Sequence, residues 1–143
     1  MIVQIKKLDP SLPTPQYAHL WDAGLDLYSR IETEIGPGER ALIPTGIAIS
    51  LPPEYAGFVQ PRSGLAIKEG IGVLNSPGLI DAGYRGEISV ILINLDKERS
   101  FKIRKGDKIC QLVIQQVIQA EIKVVDELDA TERGEGGFGS TGV

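Results

Sequence analysis

Cysteine and histidine occur once each, at Cys110 and His19, and that scarcity removes several familiar catalytic toolkits. An ordinary zinc site draws its ligands mainly from these two residue types, and one chain has too few of them to assemble it. No Ser-His-Asp or Cys-His arrangement is supported. The His-x-Glu and Pro-Cys-x-x-Cys pattern of zinc nucleobase deaminases is missing, and so is a Walker A loop. A single cysteine also leaves no internal disulfide, and the expected compartment is the reducing cytoplasm. His19, beside Leu20 and Trp21, reads as part of a loop; Cys110, in an apolar strand, reads as a packed small hydrophobe.

Other shortages narrow the partners. No apolar run approaches the length of a membrane span and no signal-peptide pattern opens the sequence, so no membrane partner is expected. The formal net charge is −4, with 15 basic against 19 acidic residues. General nucleic-acid binding needs a basic surface, so none is expected. A polyphosphate substrate would have to be met by a few local Arg and Lys residues and a metal ion. Carboxylate, Arg, Ser and backbone chemistry remain, with magnesium as the fitting cation.

What is present is β-structure. Residues 2–8, 41–51, 55–60, 87–95, 101–103 and 108–118 are rich in Val and Ile and read as strands. Turn signals cut them: Gly36-Pro37-Gly38, Leu51-Pro52-Pro53 and Lys105-Gly106-Asp107. No long segment sustains a helical stripe, and residues 63–68 form a short helix at most. The fold class expected is all-β, a sandwich or barrel with a jelly roll as the leading form. There is no internal repeat. One β domain over residues 1–131 is expected, followed by a mobile glycine-rich tail over 132–143 that closes on an active site.

Five segments exceed what plain β-structure requires. Asp22-Ala23-Gly24-Leu25-Asp26-Leu27 sets two carboxylates in a turn leading into a strand, where a merely solvated turn is the plainer reading. Pro61-Arg62-Ser63-Gly64-Leu65-Ala66 puts a guanidinium, a hydroxyl and bare backbone where a strand ends and a helix can begin, a good place for an anion. Residues 72–87 offer two extended arms around a turn and read as a β-hairpin gathering Asn75, Asp81 and Tyr84. Gln111 is the polar residue in the apolar run that follows Gly106-Asp107. The tail from Arg133 to Gly142 holds too little apolar surface to order alone. It nevertheless carries a guanidinium for phosphate, Phe138 to cover a planar ring, and the N–H groups and hydroxyls of Gly139, Ser140 and Thr141 for the same anion.

In this order the five segments resemble the five motifs of the trimeric dUTP diphosphatases (dUTPases), a resemblance covering residues 22–142. It implies a jelly-roll protomer, a homotrimer with active sites shared between subunits, and Mg2+-dependent hydrolysis of dUTP to dUMP and pyrophosphate. That activity limits uracil incorporation into DNA and supplies dUMP for thymidylate synthesis. Asp81 matches the catalytic aspartate that holds the 3′-hydroxyl and orients the attacking water. Arg62, Ser63 and Gly64 would hold the phosphates, Gln111 the region of the α-phosphate or the water, and Asp26 the metal through water. Asn75 and the main chain of Leu79, Ile80 and Ser89 would pair with uracil, while Tyr84 would lie against deoxyribose. Arg133, Gly139, Ser140 and Thr141 would clamp the γ-phosphate with Phe138 stacked on the base. Each site would take the hairpin from one chain, Asp26, Arg62 to Gly64 and Gln111 from a second, and the tail from a third. Two alternatives stand beside it. The dCTP deaminase branch of the same fold requires a glutamate where this sequence has Ile91, and a non-catalytic nucleotide-sensing regulator would use the same scaffold.

Overall fold

Alternation between core and surface sets the strands of this chain, whose computed structural model describes residues 1–138. They are β1 (Gln4–Lys7), β2 (Gly24–Tyr28), β3 (Thr33–Ile35), β4 (Arg40–Pro44), β5 (Ile47–Ser50), β6 (Tyr55–Gln60), β7 (Ile71–Val73), β8 (Gly78–Ile80), β9 (Ser89–Asn94), β10 (Phe101–Ile103) and β11 (Lys108–Gln116), with a single helix, α1 (Ser63–Glu69), between β6 and β7. In β9 the buried positions are Val90, Leu92 and Asn94, and the residues between them are half exposed, the period of two that a strand imposes. The expected all-β jelly-roll class holds. Strands 55–60 and 101–103 fall on β6 and β10, and 2–8, 87–95 and 108–118 run slightly past β1, β9 and β11.

All pairing among the described residues is antiparallel. One sheet runs β2-β11-β6-β8 and another β4-β9-β7, with two-stranded pairs β1-β5 and β10-β3 completing the layers. Leu27, Ile43, Ile88, Leu92, Ile103 and Leu112 are almost wholly buried between them. Each such side chain stabilises the fold by about 1.5–3 kcal/mol relative to exposure. The buried polar side chains all have partners. Asn94 Nδ2 donates to the carbonyls of Ile35 (3.0 Å) and Arg99 (2.8 Å), and its Oδ1 accepts from the Asp96 N–H (2.9 Å). The bond to Ile35 ties β9 to β3, and the other two brace the loop from β9 to β10.

Two sequence expectations are corrected. Residues 41–51 are not one strand: Gly46 sits in the left-handed region (φ 73°), which favours glycine, and the chain turns there from β4 into β5 in a different sheet. The arms of the expected hairpin over 72–87 do not pair with each other. β7 goes to β9, and β8 goes to β6. Their separation has a physical reason. β7 covers only Leu92 to Asn94, and Leu74 adds a bond from its N–H to the Ile91 carbonyl, so the Ser89–Val90 stretch of β9 is left open on that side. The edge strand β8 faces it across a gap.

Candidate functional site

That gap is a slot of about 80 Å³ lined by Val59, Val73, Asn75, Gly78, Leu79, Ile80, Ser89 and Val90. Its floor depends on Gly78, where a Cβ would stand 3.2 Å from Val59 Cβ and 3.5 Å from Asn75 Nδ2. Among the described residues the Asn75 side chain makes no hydrogen bond, so its amide is free for a ligand. Two strand edges with unused N–H and C=O groups, a carboxamide and apolar walls can hold a small planar ring that carries donors and acceptors on one edge.

A wider cleft of about 390 Å³ adjoins the slot, sharing Leu79, Ile80 and Ser89 and adding Leu42, Asp81, Tyr84, Glu87 and Ile88. Asp81 is exposed at the end of β8, where its carbonyl accepts the Tyr84 N–H at 3.0 Å and so shapes the turn. The sequence reading brought Asn75, Leu79, Ile80, Asp81, Tyr84 and Ser89 together, and the fold does the same.

A second group forms where β6 ends. Register places Gln111 on β11 opposite Asp26 on β2 and opposite Gln60 on β6, one row across the sheet. Arg62 follows directly. Its Nε lies 3.4 Å from Asp26 Oδ1, and its Nη1 donates to the Lys108 carbonyl at 3.0 Å. Lys108 Nζ lies 2.7 Å from Asp26 Oδ2. That hydrogen bond holds the Lys108 ammonium above its ordinary pKa, so it stays charged at neutral pH. Gln111 passes over Gly24, where a Cβ would meet its Oε1 at 2.5 Å. Arg62 opens α1 from an extended conformation without a side-chain cap. The N–H groups of the first turn therefore have no intrahelical acceptor, and nothing stands within 4 Å of where a Gly64 Cβ would be. The whole group suits anionic oxygens.

Lys108 was missed in the sequence. The only signal was a lysine at the head of an apolar strand after Gly106-Asp107. Its tie to Asp26 depends on the register irregularity between Lys108 and Cys110, which no local pattern announces. Cys110 is buried, and desolvation raises its thiol pKa far above the ordinary range, so it is no nucleophile at neutral pH.

Asp81 and Arg62 lie at opposite ends of β6. Ile80 pairs with Gly57, so Asp81 stands beside Ala56, whereas Arg62 lies beyond Gln60. At about 3.3 Å per residue the separation is roughly 20 Å. The described part of the tail joins neither group: Arg133 Nε donates to the Gly136 carbonyl at 2.8 Å within its own segment, and Phe138 is fully exposed. Gly139, Ser140 and Thr141 lie outside the described residues. Ile91, on β9 opposite Leu42, offers no carboxylate.

A family model described as dUTPase matches residues 10–142. The deoxyuridine 5′-triphosphate nucleotidohydrolase of Thermobifida fusca is 56% identical over 140 residues, covering 98% of this chain and 78% of the relative. The protein of that name from Corynebacterium glutamicum is 53% identical over 140 residues, covering 98% and 94%. Among solved structures, the dUTPase of Staphylococcus bacteriophage 80alpha with dUPNHPP superposes with a TM-score of 0.90 at 34% identity, covering 99% of each chain.

Proposed function

The chain belongs to the dUTPase family and is a hydrolase acting on dUTP, and from that premise we propose that it converts dUTP to dUMP and pyrophosphate in sites shared between chains of a cytoplasmic homotrimer. The slot between β8 and the open stretch of β9 carries this reading. Uracil presents an N3–H donor between two carbonyl acceptors, a pattern that strand edges and the Asn75 amide match. Cytosine reverses donor and acceptor at N3 and C4, and a mismatch of that kind leaves buried groups unpaired. A tight backbone wall would also exclude the thymine methyl.

With the base in the slot, the sugar meets Asp81 and Tyr84. Tyr84 stacks against deoxyribose where a 2′-hydroxyl would have to fit. Asp81 holds the 3′-hydroxyl and, as general base, takes a proton from the water that attacks the α-phosphorus in line. Such a positioned base contributes about 10²–10⁴ in rate. The order along β6 then governs the phosphates. The slot lies near Val59, and Asp81 lies near Ala56, so the nucleotide runs away from its own chain's Arg62. Arg62, Ser63, Gly64 and Gln111 that meet the phosphates therefore come from a second chain, where the guanidinium and free N–H groups stabilise charge on the leaving pyrophosphate. The tail of a third chain brings Arg133, Gly139, Ser140 and Thr141 to the γ-phosphate and Phe138 to the base, shutting out bulk water.

Magnesium fits this arrangement as a guest of the substrate. Both carboxylate oxygens of Asp26 already face cations, and the described residues contain no cluster of three or more His, Cys, Asp or Glu suited to a metal. A hard cation that keeps several waters and takes most of its other ligands from a triphosphate needs no more than a water-mediated contact to Asp26. When bound, it neutralises phosphate charge and fixes the chain's conformation.

Pyrophosphate release from dUTP, dTTP, UTP and dCTP, measured in parallel with ammonia release, tests the reading. The expected result is a wide preference for dUTP, with magnesium needed for full rate. Equal turnover of dTTP or UTP contradicts the assignment of the slot and Tyr84, and ammonia from dCTP points to deamination.

A further inference from the structure

The Tyr84 ring is held in place by the residues that follow it and by a distant ion pair. Its hydroxyl donates to the Glu87 carbonyl at 3.0 Å, which folds the ring back over its own turn. The fold-back is possible only because residue 86 has no side chain. A Cβ on Gly86 would overlap the Tyr84 hydroxyl and lie 2.6 Å from Cζ and 3.0 Å from Cε2. Gly86 does not sit in the left-handed region, so space, and not backbone conformation, is what glycine supplies there.

Glu87, which provides the accepting carbonyl, is itself fixed from two sides. Arg30 Nη1 reaches its carboxylate at 3.1 and 3.3 Å, and the Gly46 N–H donates to Oε1 at 2.8 Å. Immediately beyond, the Ile88 carbonyl accepts from the Thr45 N–H (3.0 Å) and the Thr45 hydroxyl (2.6 Å), and the Ile88 N–H donates to Ile47 (2.9 Å). Arg30 is held in turn by its N–H on the Pro44 carbonyl (2.8 Å) and lies 3.9 Å from Asp9. The carbonyl that anchors the Tyr84 hydroxyl thus belongs to a residue locked to the β4–β5 turn.

We propose that Gly86, Glu87 and Arg30 are specificity-determining positioning residues: Gly86 gives the Tyr84 ring its place, and the Arg30–Glu87 pair fixes the carbonyl that keeps it there. This rests on the reading of Tyr84 as the residue that excludes a 2′-hydroxyl. None of the three need touch the nucleotide. An exposed aromatic ring free to swing about χ1 would yield to one extra oxygen, whereas the ring of a residue tied at both its backbone N–H and its hydroxyl does not.

The test compares kcat/KM for dUTP and UTP in the wild type, Tyr84→Ala, Gly86→Ala, Arg30→Met and the double variant Gly86→Ala with Tyr84→Ala. Because the ring displaced by Gly86→Ala is at the surface, melting should change little. The UTP to dUTP ratio should rise about tenfold or more in Gly86→Ala, mainly through a lower KM for UTP, and Arg30→Met should raise it in the same direction. In the Tyr84→Ala background Gly86→Ala should add nothing further, since no ring remains to displace. Arg30→Lys, which keeps a cation near Glu87, should restore part of the discrimination lost in Arg30→Met. If Tyr84→Ala admits UTP while Gly86→Ala and Arg30→Met keep wild-type discrimination, the inference is overturned and the reading of Tyr84 survives. If Tyr84→Ala itself gains no UTP turnover, both fall.

Discussion

Asp81→Asn is expected to bind dUTP within a few fold of the wild type while turnover falls by about 10²–10⁴, the contribution of a positioned general base. The amide has nearly the shape of the carboxylate and can still hydrogen-bond to the 3′-hydroxyl, but it does not accept a proton from water. Asp81 is exposed and contributes only its backbone carbonyl to the turn. The fold should therefore be unaffected, and the melting temperature should match the wild type. Binding measured by calorimetry with a non-hydrolysable dUTP analogue, beside single-turnover kinetics, separates the two effects. Near-normal turnover removes Asp81 from the role of base.

Removal of everything after Thr131 should have a comparable effect by a different route. The described part of the tail is almost wholly exposed, and its hydrogen bonds stay within the segment. The β core does not need it, and thermal melting should be retained. Activity should drop by about 10²-fold or more, because Arg133 no longer orients the γ-phosphate and Phe138 no longer covers the base. A folded truncation with full activity contradicts the role given to the tail.

Much of this site was legible because its chemistry is local in sequence. Arg62-Ser63-Gly64 announces a strand end turning into a helix, and α1 begins at Ser63. Asn75, Asp81 and Tyr84 sit within one short segment, and the fold keeps them around adjoining cavities. What was not legible is what depends on pairing between distant strands. The segment over residues 72–87 reads as a hairpin because two short extended arms flank a turn. Its arms are instead claimed by β9 and β6, and the slot exists because they are. The three residues of β3 are too few to carry a period of two, and only pairing with β10 makes them a strand. The Arg30–Glu87 pair spans 57 positions, and Lys108 meets Asp26 only across the β2–β11 ladder. Neither partnership has a local signal.

The claim on which the rest depends is that one site takes Asp81 and the tail from different chains. It is tested most directly by unfolding the Asp81→Asn protein and the protein truncated after Thr131 together, refolding them at equal amounts, and assaying dUTP hydrolysis. A working site needs the truncated chain at the position that supplies Asp81 and the Asp81→Asn chain at the position that supplies the tail. Each condition is met half the time in random assembly, so about a quarter of the sites in a cyclic trimer should regain activity. Mixed trimers confirmed by mass, with no activity above that of either parent, would contradict shared sites, since every chain in the mixture lacks one of the two parts.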